Sequence, residues 1–152
     1  MPKGETMSEQ ENLQLAREMF DALNAQNLDR AAGLIDESLI WESDAFPEPI
    51  RGPEGFTQAM QQNYEIFPDL RFAIDEQIAS GDFVVTLYRV IGTQKGEYMG
   101  VAPTNNVVRT NNCAVGEIRG GKLIRLRTYI DRAATLEQIG VDIKAAVTAT
   151  TA

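Results

Sequence analysis

The sequence predicts an α+β domain in which helices pack on one face of a largely antiparallel sheet, and two observations carry that reading. Apolar residues recur at helical spacing through the first part of the chain, and from Leu70 onward the period falls to two. Helices come first and hairpin-linked strands second, an order of segregated α+β folds rather than of a doubly wound parallel sheet. At 152 residues the length fits one domain, large enough to bury roughly two thirds of the surface its unfolded chain exposes. The domain is expected over residues 8–140, with flexible termini at 1–7 and 141–152.

Ser8 and Glu11 have the spacing of a capping box, in which a hydroxyl and a carboxylate each satisfy a free backbone N–H; Leu13, Ala16, Phe20 and Leu23 follow on one helical face. After a break at Asn24 to Asn27 a shorter periodic segment holds Leu28, Ala31, Leu34 and Ile35. Leu39, Ile40 and Trp41 read as a short strand, and the prolines between Asp44 and Gly52 mark a loop. Gly52-Pro53-Glu54 begins the next helix, since proline tolerates the first helical position and glutamate suits the positive end of the dipole. Phe56, Met60, Tyr64 and Phe67 share its apolar face, and Pro68 ends it. Leu70, Phe72 and Ile74 then alternate with Arg71, Ala73 and Asp75. Ser80-Gly81-Asp82 is a hairpin turn, followed by strands over Phe83 to Ile91, Val107 to Ile118 and, after Gly120-Gly121, Lys122 to Asp131. Gly92 and Gly100 read as turn or bulge positions and Asn105-Asn106 as a further hairpin turn.

The chain contains no histidine, which removes imidazole-based zinc sites, Ser-His-Asp triads and Cys-His dyads together. Proton transfer falls to Asp, Glu, Tyr, Lys or water. Cys113 is the sole cysteine, so no intrachain disulfide forms. Its neighbours Asn112 and Ala114 offer no basic partner to activate a thiolate, and it reads as a small buried strand residue. A net charge of −8 without any basic cluster opposes nucleic-acid phosphates and anionic membranes, and neither is expected as a partner. Met1 to Gln10 lacks the apolar core of a signal peptide, and no stretch approaches about 18 uninterrupted apolar residues. A cytoplasmic location is the expectation, with Met7 an alternative start.

Asp131 closes the last apolar run. Under period-two alternation Arg127, Tyr129 and Asp131 share one face, while Leu126, Thr128 and Ile130 share the other. From these residues alone two readings stand: an acid or base in a pocket, or a strand-end surface carboxylate paired with Arg127 or Arg132.

The segment Gly92-Thr93-Gln94-Lys95-Gly96-Glu97-Tyr98-Met99-Gly100-Val101-Ala102-Pro103-Thr104, followed by Gly120-Gly121-Lys122-Leu123 and Asp131, resembles the SnoaL-like polyketide cyclase and ester cyclase family of the nuclear-transport-factor-2-like superfamily. Phe67-Pro68-Asp69-Leu70 is similar to that family's Phe-Pro-Asp-Leu, and Leu136-Glu137-Gln138-Ile139-Gly140 to its closing Leu-x-Gln-Leu-Gly. The resemblance implies a cone: a strongly curved, mostly antiparallel sheet wrapped by the N-terminal helices around one apolar pocket. It also implies ring closure by intramolecular aldol condensation without metal or cofactor, and an aspartate on the last strand as general acid/base, matched here by Asp131. A carboxylate in an apolar cavity has its charged form disfavoured, which moves its pKa toward neutrality. A homodimer through the open sheet face is a further expectation from the superfamily.

The sequence departs from the family pattern where Gln94 stands in place of a histidine, and where Glu42 falls near the end of the first strand. Gln94 can donate a hydrogen bond to a developing enolate oxygen but cannot carry a proton. Glu42 is either a second acid/base group or an outward-facing carboxylate. Trp41, Tyr64, Tyr88, Tyr98 and Tyr129 either line a pocket for a flat ligand or are ordinary core. Arg127 either orients Asp131 or binds a substrate carboxylate, or it snorkels from a strand. The leading expectation is cofactor-independent cyclisation or isomerisation of a hydrophobic carbonyl compound, with Asp131, Gln94 and Glu42 catalytic and Trp41, Tyr64, Tyr88, Tyr129 and Arg127 binding substrate. The alternatives are a non-catalytic binding protein for a small apolar ligand, and epoxide opening by Asp131, Arg127 and Glu42, as the resemblance to limonene-epoxide hydrolases implies.

Overall fold

The structure is a computed structural model; it describes the backbone of residues 2–145 and the side chains of residues 8–145. The end of the expected flexible tail, residues 146–152, and Met1 lie outside the described residues. In chain order the elements are α1 (Pro2–Asn24), α2 (Leu28–Gly33), β1 (Ile35–Ser43), β2 (Ile50–Arg51), α3 (Gly52–Ile66), β3 (Arg71–Ser80), β4 (Phe83–Thr93), β5 (Val107–Arg119), β6 (Lys122–Tyr129) and α4 (Arg132–Gln138).

The α+β expectation holds. The strands form one six-stranded sheet in the order β2-β1-β6-β5-β4-β3. All neighbours are antiparallel except β1 and β6, which run parallel with Trp41 opposite Leu126 and Ser43 opposite Thr128. Register shifts between Ile74 and Glu76, and between Glu117 and Ile118, add local twist and curl the sheet into the wall of a cone. Helices α1 and α3 close the concave side, where Phe56, Met60, Leu39 and Trp41 are each at most 5% exposed. Burying such a side chain stabilises the fold by about 1.5–3 kcal/mol.

Several boundaries differ from the sequence expectation for identifiable reasons. Helix α1 begins at Pro2, so Ser8 and Glu11 are helix-interior residues rather than a capping box. Ile35 is already in a strand, because Leu34 caps α2 and β1 starts at once. The loop after Asp44 contains β2, a two-residue partner of Ile40 and Trp41. Strand β6 ends at Tyr129, and Asp131 instead caps a helix that the strand reading left out. Gly92 lies inside β4 rather than at a turn: a Cβ there would come within 3.0 Å of the Phe67 Cβ, so its bare backbone lets Phe67 close the core.

Among the described residues, no helix is long and apolar enough to cross a membrane.

Candidate functional site

Alternation on β4, β5 and β6 decides what faces the inside of the cone. On β5 the inward positions are Val108, Thr110, Asn112, Ala114, Gly116 and Ile118, all buried. Tyr88 pairs with Asn112, and Ala114 with Thr128, so these four residues cross the middle of the inner face. On β6 the inward set is Leu126 and Thr128, continued by Ile130 just past its end; the Arg127 and Tyr129 face points the other way.

The inside of the cone holds two adjoining cavities, an inner and an outer lobe, that share part of their walls. The inner lobe, of about 90 Å³, lies between α1 and the Val84–Tyr88 half of β4. The outer lobe, of about 160 Å³, runs past Phe67 and Tyr98 toward Thr135 of α4. Trp41, Met60, Phe72, Tyr88 and Thr128 belong to both walls. Aromatic contacts fix this partition: Phe20 and Phe72 lie 5.3 and 5.9 Å from the Tyr88 ring, and Phe56 lies 5.1 Å from Trp41.

Polar groups are distributed unevenly between the lobes. In the inner lobe both threonine hydroxyls are held by the protein: Gln77 Nε2 donates to Thr86 Oγ1 at 3.1 Å, and Trp41 Nε1 to Thr128 Oγ1 at 2.9 Å. In the outer lobe Thr110, Asn112 and Tyr98 face the cavity. Asn112 Oδ1 accepts the Asp131 backbone N–H at 3.0 Å, which leaves its Nδ2 amide as a donor. The Tyr88 hydroxyl has no hydrogen-bond partner among the described residues, and the residue is 6% exposed. Burial raises its phenol far above the usual tyrosine range, so it remains a neutral donor.

The residues singled out from sequence occupy separate places. Trp41 and Tyr88 line both lobes. Tyr64 lines neither: its hydroxyl donates to the Leu23 carbonyl at 2.7 Å, and burial pushes its pKa up to about 12. Gln94 is fully buried but lines no lobe. Its Nε2 reaches the carbonyls of Gly96, Val101 and Ala102 at 3.0–3.2 Å, and its Oε1 accepts from Thr104 N and Oγ1. Glu42 lies on the outer side of β1, where Oε1 accepts from Arg125 Nε and Nη2 at 2.9 and 2.7 Å, with Arg127 Nε at 4.0 Å. That pairing holds the Glu42 carboxyl below its ordinary value, the Arg125 hydrogen bond being the main cause. Tyr129 is 56% exposed on the same outer face as Arg127.

Asp131 is exposed and caps α4, with Oδ1 accepting the Ala134 N–H at 3.0 Å. It lines a surface groove whose wall includes Tyr88, Asn112 and Ile130, the residues that also line the outer lobe. Asp131 and Gln94 therefore share no cavity, and Asp131, Arg127 and Glu42 do not converge on one point. Sequence reasoning passed over Thr110 and Asn112. Their signal was visible: two polar residues on the inward face of a central strand otherwise made of Val108, Ala114, Gly116 and Ile118, where a buried polar group needs a partner. Among the described residues no three His, Cys, Asp or Glu side chains converge as a metal site.

The comparisons bear on this geometry. The family model of SnoaL-like polyketide cyclase matches residues 14–139. A protein of Jannaschia sp. CCS1 classed as a candidate SnoaL-like polyketide cyclase superposes with TM-score 0.81 at 23% identity, covering 88% of this chain and 94% of that one. IdmH of Streptomyces antibioticus, a candidate polyketide cyclase, gives TM-score 0.76 at 25% identity over 86% and 99% of the two chains. AclR of Streptomyces galilaeus, a candidate hydroxylase, gives 0.78 at 23% identity over 87% and 97%. No curated protein matches the chain.

Proposed function

Because the chain belongs to the SnoaL-like polyketide cyclase family, we propose that it performs cofactor-independent acid/base chemistry, cyclisation or isomerisation, on a hydrophobic carbonyl compound held in the two-lobed cavity. The observation that carries this reading is the pair of neutral donors, Tyr88 Oη and Asn112 Nδ2, on neighbouring residues in the wall of a largely apolar cavity. Two such donors polarise a ligand carbonyl and stabilise the enolate oxygen formed when an α-proton leaves. Asp131 lines the groove behind the wall that Tyr88, Asn112 and Ile130 share, its backbone N–H donating to Asn112 Oδ1, and in this reading it is the carboxylate that accepts and returns the proton of a substrate reaching through to that groove. In this reading Trp41 stacks on the substrate ring, and Gln94 and the Glu42–Arg125 pair hold the frame. Residues 8–140 form the functional unit, and two copies associate through the outer sheet face.

The test needs no natural substrate. Aryl ketones such as 2-tetralone exchange α-protons for deuterium in D2O, and the exchange is followed by proton NMR. Wild type is expected to accelerate exchange, Asp131→Asn to lose at least about tenfold of the acceleration, and Tyr88→Phe to lose a similar factor, general acid/base groups contributing about 10²–10⁴-fold. Full exchange in the Asn variant removes Asp131 from the chemistry. A second reading, ligand binding without turnover, is supported by the exposed, helix-capping setting of Asp131. It predicts quenching of the single tryptophan, Trp41, by the ketone with no exchange at all.

A further inference from the structure

The two lobes differ in what they can recognise, and the difference follows from three small side chains. On β5 the inward positions after Asn112 are Ala114 and Gly116, and Ala16 of α1 lines the same space. Larger residues at Ala16 and Ala114 would fill it, and a Cβ at Gly116 would stand 3.1 Å from Leu123 Cδ1, so glycine there leaves room for Leu123 in the same wall. The resulting void of about 90 Å³ is walled by apolar groups such as Met19, Phe20 and Ile118, and its two hydroxyls, on Thr86 and Thr128, are both engaged by protein donors. Each hydroxyl keeps its own O–H, but the rest of the wall is apolar, and a space of this kind favours hydrocarbon over polar groups.

Tyr88 lines both lobes, so a carbonyl oxygen bonded to its hydroxyl from the boundary would have one substituent directed into each. We infer that the inner lobe is an alkyl-tail subsite: the ligand is a ketone with a flat ring in the outer lobe and a short unbranched alkyl chain in the inner one. This rests on the carbonyl-binding reading above. At ~30 Å³ per water-sized unit, the lobe holds a tail of about three carbons. Met60, whose thioether adapts its shape readily, lines both lobes and lets the tail pass between them.

The experiment measures Trp41 fluorescence titrations with a homologous series of 1-phenyl-1-alkanones, acetophenone to octanophenone. Wild-type affinity is expected to rise about threefold to fourfold with each methylene, the usual gain from burying one, and to level off beyond a tail of about three carbons. Ala114→Leu fills the lobe from the sheet and Ala16→Leu from the helix; each is expected to flatten the series. The readout is the slope across the series, and two variants on different elements guard against one that fails to fold, which circular dichroism reports. A flat wild-type series, or a rise that survives in both folded variants, overturns the tail subsite while leaving ketone binding in place. Failure of every member to bind overturns the carbonyl-binding reading itself, and the subsite with it.

Discussion

Gln94 saturates its amide on backbone groups of the Gly96–Thr104 loop, and that accounts for a fully buried glutamine that touches no cavity. Gln94→Ala removes the side-chain partner of the Gly96 and Ala102 carbonyls and of the Thr104 N–H, while the Val101 carbonyl keeps the Tyr98 N–H, and a polar group left unsatisfied away from water costs about 1–3 kcal/mol. The expected loss, allowing for water entry, is about 3 kcal/mol in a urea titration; a loss below about 1 kcal/mol would show that the loop holds without it. Gln94→Glu is expected to be worse, since a carboxylate would face three carbonyl oxygens. Asp131 contrasts with it. Asparagine caps a helix about as well as aspartate, so Asp131→Asn should leave the unfolding midpoint unchanged, whereas Asp131→Ala should lose about 1 kcal/mol. Any effect of the Asn variant on proton exchange is then chemical rather than structural. At this scale the sequence marked both residues as unusual but left their surroundings open. A glutamine in a Gly-rich loop looks the same whether its amide meets a ligand or the loop's own carbonyls, and only the fold of residues 96–104 around it decides.

The elements are joined by side-chain latches as much as by the sheet ladder. Asp69, in the turn between α3 and β3, accepts from Thr93 N and Thr93 Oγ1, both at 2.7 Å, and so ties that turn to the end of β4. The Thr93 backbone N–H is the main reason its carboxyl titrates below the ordinary value. A depressed folded pKa means that the latch stabilises fully above the unfolded pKa, about 3.9, and that its contribution fades as pH falls through the lower folded value. Asp69→Asn should therefore lower the urea midpoint at pH 7 relative to wild type, and the gap should shrink as pH falls below the unfolded value of about 3.9 and the wild-type carboxyl takes up its proton. A gap independent of pH would mean that the amide loses shape rather than charge. Alternation made β3 to β6 legible, since a half-buried strand has one apolar face. Helix α4 was not read because Asp131 looked like the end of the preceding strand; yet Asp131 followed by Ala133-Ala134, with Gly140 at φ +101° beyond the last turn, carries the signals of a short capped helix.

Over the whole molecule one curved sheet presents two unlike faces, and the fold class follows from the order of helical and alternating segments alone. The parallel pairing of β1 with β6 does not follow from that order: its partners lie more than eighty residues apart, as Glu42 and Arg127 do, and neither strand's alternation names the other. The concave face holds the cavity. On the convex face Ile78, Val85 and Val115 stand in register across β3, β4 and β5, with Leu87, Cys113 and Tyr129 in the next row across β4, β5 and β6. Ile78 at 52%, Leu87 at 41% and Tyr129 at 56% exposure leave a broad apolar surface open on a single chain, the kind of surface that a second copy covers. A homodimer through this face would bring together two chains of charge −8, so added salt should tighten it by screening their repulsion. Sedimentation equilibrium is expected to give twice the chain mass, with a dissociation constant that falls between 20 and about 200 mM salt. Leu87→Arg places a charge at the centre of the patch and should yield a monomer whose cavity still quenches Trp41 with ketone, because Leu87 contacts neither lobe. A wild-type monomer at all concentrations, or an unaltered dimer in the variant, would remove the convex face as the interface.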